Sequence, residues 1–249
     1  MLHLIKMWLE APVEETDERG NRHRSTRNRD EGRGTPQGAP ISPLLSNLYM
    51  RRFVLGWKKL GHEKRLRAYI VNYADDFVIC CRGRAEEARF AMQATMTKLK
   101  LTVNEAKTRV SKLPEEKFDF LGYTFGRCYS PKTGRAYLGT APSKKRVIRI
   151  CQAISSETGR SKTLLAQETV VETLNRMMIG WANYFCLGPV SKAYRAVDRH
   201  ARRRLRQWLC AKHQRQGSGA QRYADDILHE ELGLVRLAER TASFPWAKP

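Results

Sequence analysis

Asp75 and Asp76 are adjacent carboxylates set inside an otherwise apolar run, AYIVNYADDFVICC, residues 68–81. Side-by-side like charges between buried strands are costly unless a cation neutralises them, so this pair points to a divalent metal and metal-assisted phosphoryl transfer. The same letters also suit a plain polar turn. Either way, the β-branched arms on both sides form a β-hairpin with the two aspartates at its tip.

Charge narrows the chemistry. The 249 residues carry 46 Lys and Arg against 25 Asp and Glu, a formal net charge of +21. That excess exceeds what solubility requires and calls for an extensive polyanion, although a merely well-solvated basic protein would share it. No stretch approaches the roughly 18 consecutive apolar residues of a spanning helix, so nucleic acid is favoured over a membrane. The six cysteines, Cys80, Cys81, Cys128, Cys151, Cys186 and Cys210, show no zinc spacing and read as reduced thiols of a cytoplasmic protein.

The elements that must position the aspartates follow in order. MLHLIKMWLE reads as a helix with Leu2, Ile5, Trp8 and Leu9 on one face, stopped by Pro12, and not as a signal peptide. A core-facing helix with no strand before it implies that the chain starts inside a larger fold. Residues 14–33 read as an exposed loop or ribbon, where Arg22, Arg24, Arg27 and Arg29 either contact phosphates or are simply solvated. Residues 34–43, GTPQGAPISP, form a stiff irregular loop that presents Gln37. Ser42 is expected to cap the next helix with Pro43 at its first position, and Leu44, Leu45, Leu48 and Phe53 are expected to face inward. Ala88, Met92, Thr95, Met96 and Leu99 form a further helical stripe.

GTPQGAPISPLLSNLYM followed by YADDFVI resembles the template-contacting loop and catalytic hairpin of reverse transcriptases, in that order. LTVNEAKTRV resembles the family's next palm motif, and FDFLGYTF resembles the hairpin that grips the primer. The FLGY form is typical of group II intron reverse transcriptases, also called maturases. The resemblance implies Asp75 and Asp76 as catalytic ligands of Mg²⁺. It implies Thr35, Pro36, Gln37, Gly38 and Lys107 as template or nucleotide contacts, and Phe120, Leu121 and Gly122 as the primer grip. Lys107 reads equally well as a surface lysine.

Beyond Gly139 the chain becomes helical and basic, which places a domain boundary between residues 1–140 and 141–249. Residues 174–185, ending GWANYF, resemble the thumb or maturase domain of the same family. Trp181, Tyr184 and Phe185 there suit a core better than a base-stacking platform. From Lys192 to Arg215, basic residues recur outside a buried apolar stripe. The resemblance implies that Arg195, Arg199, Arg202, Arg203 and Arg206 bind RNA.

Tyr223-Ala224-Asp225-Asp226 repeats the hairpin tetrapeptide without strand arms, and is expected to be a helix N-cap and not a catalytic site. The expected fold is therefore α+β, with a partial reverse-transcriptase palm built on an antiparallel sheet with helices, then an all-helical thumb or maturase domain. In the family a further aspartate on an earlier palm strand bridges both metal ions, and no counterpart precedes Trp8. The chain is accordingly expected to be an N-terminally truncated RNA-directed DNA polymerase and maturase, inactive alone. Its partners would be intron RNA, an RNA template with DNA primer, dNTPs and a separate N-terminal fragment supplying the missing palm strand. The alternative is a non-catalytic RNA-binding splicing factor.

Overall fold

A computed structural model describes residues 2–17, 20–30, 32, 35, 39–130, 133–217 and 219–241. The chain divides into two compact units, Met1–Val110 and Ser111–Pro249.

In the first unit, α1 (Leu2–Glu10) ends ahead of Pro12, as its composition requires, and β1 (Val13–Thr16) pairs antiparallel with β2 (Arg22–Ser25). Residues 14–33 therefore contain a ribbon, followed by the short α2 (Arg27–Asp30). The helix α3 (Ser42–Lys59) leads through α4 (His62–Leu66) into β3 (Ala68–Tyr73), β4 (Asp76–Cys81) and α5 (Ala85–Lys98).

Phe53, Trp57 and Leu66 are essentially fully buried with Ala68, against Ala88, Met92 and Met96 of α5. Burying each large side chain is worth about 2 to 3 kcal/mol. The Trp57 indole N–H donates to the Ala68 carbonyl at 2.8 Å, so the residue that fills the core also fixes where β3 begins.

Two expectations about α3 fail. Leu44 and Leu48 are about half exposed, whereas Met50, Phe53 and Trp57 are buried. With about 3.6 residues per turn, the buried trio lies on the side of the helix away from Leu44 and Leu48, and the two aromatic rings claim the core. Ser42 is not the cap. Ile41 holds that position without a side-chain cap bond, and the Ser42 hydroxyl instead shares a 2.7 Å hydrogen bond with that of Thr35.

The second unit opens with a three-stranded antiparallel sheet of β5 (Phe118–Phe120), β6 (Tyr123–Tyr129) and β7 (Ala136–Pro142). Ser143 caps α6 (Lys144–Glu157) by accepting from the Arg146 N–H. After a 3₁₀ turn (Arg160–Lys162) come α7 (Gln167–Tyr184) and α8 (Ser191–Lys212), then a π-helical turn (Ile227–Glu231) and α9 (Leu237–Arg240). Their core runs through Ile154, Leu174, Met178, Tyr194, Val197, Ala201, Leu205, Trp208, Leu209, Leu228 and Leu237.

The fold class is α+β as expected, with small antiparallel sheets and helices followed by a helical C-terminal region. The strands do not form one palm sheet among the described residues. The 68–81 hairpin stands as its own two-stranded sheet. The compact units meet at residues 110 and 111, so β5, β6 and β7 are counted with the helices. The expected 140/141 boundary falls inside β7, shortly before the change from strand to helix within the second unit.

Candidate metal hairpin and nucleic-acid surface

Pairing of Tyr73 with Asp76 leaves Ala74 and Asp75 as a two-residue loop. Ala74 has φ 51°, a left-handed conformation that costs a residue with a Cβ about 1 kcal/mol and recurs where a fold imposes a particular presentation. The core fixes the rest of the hairpin. Phe77, one residue beyond the aspartates, packs its ring 5.2 Å from that of Phe53, and Ile70 and Ile79 join the same cluster. The other face of β3 presents Tyr69, Val71 and Tyr73, each more than half exposed.

Asp75 and Asp76 both lie exposed at the tip, not between buried strands as their apolar flanks led us to expect. Water screens their mutual repulsion there, so the pairing of the two carboxylates does not of itself demand a cation. As a donor set for Mg²⁺ they are hard oxygen ligands of the right kind, but among the described residues no third His, Cys, Asp or Glu joins them in a cluster. They fit a magnesium site in part, and no catalytic step through a metal follows from this arrangement alone.

Of the expected template contacts, Pro36, Gln37 and Gly38 lie outside the described residues. Thr35 is half-buried and bonded to Ser42. Lys107 is exposed on a turn where its backbone N–H donates to the Asn104 side chain at 3.2 Å.

In the second unit, Phe120 pairs with Tyr123, so Leu121 and Gly122 form the loop, with φ 52° and 83°. Two positive φ values identify the hairpin turn that matches strand twist. This turn is anchored on several sides. The Tyr123 hydroxyl donates to the Tyr184 carbonyl at 2.6 Å, the Tyr184 hydroxyl donates to the Leu121 carbonyl at 3.0 Å, and the Ser143 N–H donates to the Gly122 carbonyl at 2.9 Å. A Cβ at Gly122 would meet Arg146 and Phe185 at 3.0 and 3.1 Å, which explains a glycine there. Trp181 and Phe185 stack among Tyr123 and Tyr194, so they belong to the core, while Tyr184 is half exposed. Burial pushes the Tyr194 phenol up to about 12 and raises that of Tyr123, so both remain hydrogen-bond donors across the ordinary pH range.

The arginines of α8 separate into different duties. Arg195, Arg199 and Arg203 recur every fourth residue and are exposed, with Arg195 donating to its own Ser191 carbonyl. Arg202 and Arg206 instead grip the two carboxylate oxygens of Asp225, and Arg206 also donates to the Tyr223 carbonyl at 2.7 Å. Arg204 is drawn to the end of α6, where it donates to the Ser155 and Thr158 carbonyls at 3.1 and 2.9 Å. Lys212 donates to the Thr163 and Leu165 carbonyls. The free cationic strip is thus narrower than the sequence run, and Arg202 and Arg206 are committed to an internal carboxylate.

The second YADD is neither a catalytic hairpin nor a side-chain cap. Asp226 occupies the cap position before the π-helical turn without a capping bond, and Asp225 serves as the counter-ion of α8. The physical reason is competition: two guanidiniums offer charge-assisted bonds stronger than one backbone N–H.

Sequence reasoning missed this clamp, the paired tyrosines and Asp198. The last is buried and accepts from the Leu237 and Ala238 N–H groups, both at 3.0 Å. Its burial raises its pKa, opposed by those two bonds and by Arg202 and His229. A signal did exist: Asp198 is the only acid between Lys192 and Arg215.

Two family models match the chain. Reverse transcriptase (RNA-dependent DNA polymerase) covers residues 2–125, and Group II intron, maturase-specific domain, covers residues 147–224. No curated protein is similar enough to match.

Proposed function

Because the chain belongs to the family of group II intron reverse transcriptases and maturases, we propose that it is the RNA-directed DNA polymerase and maturase protein of a mobile group II intron. The observation that carries the reading is the 68–81 hairpin, whose core-anchored strands hold Asp75 and Asp76 together at an exposed turn. Asp75 is the principal ligand for Mg²⁺ in this reading and Asp76 its neighbour. Bound there, the ion supplies charge neutralisation for a leaving pyrophosphate. The FLGY turn, held by Tyr123 and Tyr184, seats the primer end through its backbone, and exposed Arg195, Arg199 and Arg203 take RNA phosphates. Gln37 and Gly38 contact template, and Lys107 lies near incoming dNTP.

The hairpin supplies two carboxylates and a two-stranded sheet with an exposed aromatic face. We therefore assign DNA synthesis to an assembly in which further palm residues, from a separate fragment or a longer chain, add a strand and a third carboxylate. The 249-residue chain by itself holds RNA without extending a primer. A primer-extension assay on it with Mg²⁺ tests this, and robust cDNA synthesis overturns it.

A second reading, an RNA-binding splicing factor without chemistry, is favoured by one observation. The exposed α8 arginines belong to a unit that does not contain the hairpin. Replacing Asp75 and Asp76 by Ala separates the two. Reverse transcription in the completed assembly is expected to vanish and splicing assistance to persist. Loss of neither refutes the hairpin assignment.

A further inference from the structure

A cavity of about 410 Å³ lies beside α8 in the second unit, lined by Thr158, Arg160, Arg204, Gln207, Trp208 and Arg215, among others. It lies on none of the motifs that resemble polymerase parts. Its lining residues include no carboxylate, and their side chains are rich in donors. Arg204 is locked in place by the carbonyls of Ser155 and Thr158 and also donates to Oε1 of Gln207 at 3.2 Å. That bond occupies the acceptor end of the Gln207 amide and leaves its NH₂ as the end available to a ligand. Arg160 and Arg215 are exposed at the rim.

Trp208 is also among the lining residues. It is 1 % exposed, and its indole nitrogen is buried out of reach of a ligand in the cavity. The nearby Lys212 ammonium, 5.4 Å from the ring centroid, is itself spent on two carbonyls and adds positive potential without an acceptor.

We propose that this cavity is a binding site for one phosphate-bearing nucleotide of an RNA strand, turned out of its helix. The phosphate lies among Arg160, Arg204 and Arg215, and the rest of the nucleotide presents acceptors to the Gln207 amide. A bare phosphate would leave most of the volume empty, and a paired helix could not enter it, so the selected feature is a bulged or unpaired residue. The proposal rests on the reading that this chain binds RNA.

The test is fluorescence anisotropy of the full chain with a labelled RNA hairpin carrying a single-nucleotide bulge, and with the same hairpin fully paired. The wild type is expected to favour the bulged RNA by about tenfold. Gln207→Glu keeps an acceptor for Arg204 but turns a carboxylate toward the cavity, at an exposed position that does not threaten the fold. It is expected to abolish the preference while leaving affinity for the paired hairpin within about twofold. Arg160→Ala with Arg215→Ala is expected to act likewise, and Arg199→Ala with Arg203→Ala to weaken both RNAs together.

Equal binding of the two RNAs by wild type, or a preference that survives Gln207→Glu, overturns the pocket. Failure of the wild type to bind either RNA more tightly than heparin overturns the RNA-binding reading beneath it. Competition by AMP distinguishes the source of the phosphate: displacement only at millimolar concentration supports a strand-borne nucleotide, and displacement at low micromolar concentration refutes it in favour of a free one.

Discussion

Tyr123 and Tyr184 brace one another across the FLGY turn: the phenol of Tyr123 donates to the Tyr184 carbonyl, and the phenol of Tyr184 donates to the carbonyl of Leu121, two residues before Tyr123. Tyr123 also accepts from the Leu187 N–H at 3.4 Å. Tyr184→Phe removes one partly solvated bond and is expected to cost less than about 1 kcal/mol. Tyr123→Phe strands a carbonyl and an N–H near buried rings and is expected to cost about 1 to 2 kcal/mol. Urea unfolding of the two variants checks the order.

The clamp on Asp225 predicts unequal effects at adjacent aspartates. Asp225→Asn leaves Arg202 and Arg206, both less than a third exposed, without their shared counter-ion and is expected to cost about 1 to 2 kcal/mol. Asp226 is 80 % exposed and 3.9 Å from Arg236, so Asp226→Asn is expected to be close to neutral. Thermal midpoints that fall equally for both would refute the clamp.

Gly188 has φ 77°, and a Cβ on it would overlap the Thr140 carbonyl oxygen. Gly188→Ala therefore adds backbone strain to a collision with a main-chain atom, and is expected to cost about 3 kcal/mol or more. Recovery of soluble, cooperatively folding protein at the wild-type midpoint would contradict this.

Acid should weaken the fold through His200. Its Nε2 meets the Ser155 hydroxyl at 2.8 Å, and burial, then Arg203, lowers its pKa below 6.5, opposed by a hydrogen bond to the Cys151 backbone and helped by Arg204. The neutral ring is the folded form, so its contribution is complete above pH 6.5 and is lost as the pH falls through the lowered value. His62 shifts in the same direction, first by burial and then by Arg65 and Lys98. Asp198 has the opposite sense: its raised value favours the fold below pH 3.8 and loses that contribution as the pH rises through it. Denaturant midpoints are expected to drop between pH 7 and pH 5, and His200→Gln to flatten that slope.

Salt dependence of RNA binding separates the α8 arginines. Arg199→Ala and Arg203→Ala are each expected to lower the slope of log affinity against log salt by about 1, and Arg202→Ala to alter stability more than slope. An undiminished slope in the double variant Arg199→Ala, Arg203→Ala would show that this strip does not meet phosphate.

Much of this was legible from local pattern. The hairpin and the α5 stripe followed from β-branched arms and from helical spacing. The caps and charge partners were not legible, because they depend on distant residues. Ser42 looked like a cap until Thr35, seven residues earlier, took its hydroxyl, and Arg206 looked free until Asp225 arrived from beyond α8. Identical tetrapeptides at residues 73–76 and 223–226 took different structures because the first has strand arms and the second has arginines.

Asn175, near the middle of α7, is tied by both ends of its amide to the C-terminal segment, donating to Gly233 and accepting from Val235. At its last residue the same helix holds the FLGY turn through Tyr184. Over its 18 residues α7 spans about 27 Å, and a helix of that length is stiff along its axis. The C-terminal segment and the turn at Leu121 and Gly122 are therefore fastened to one and the same helix.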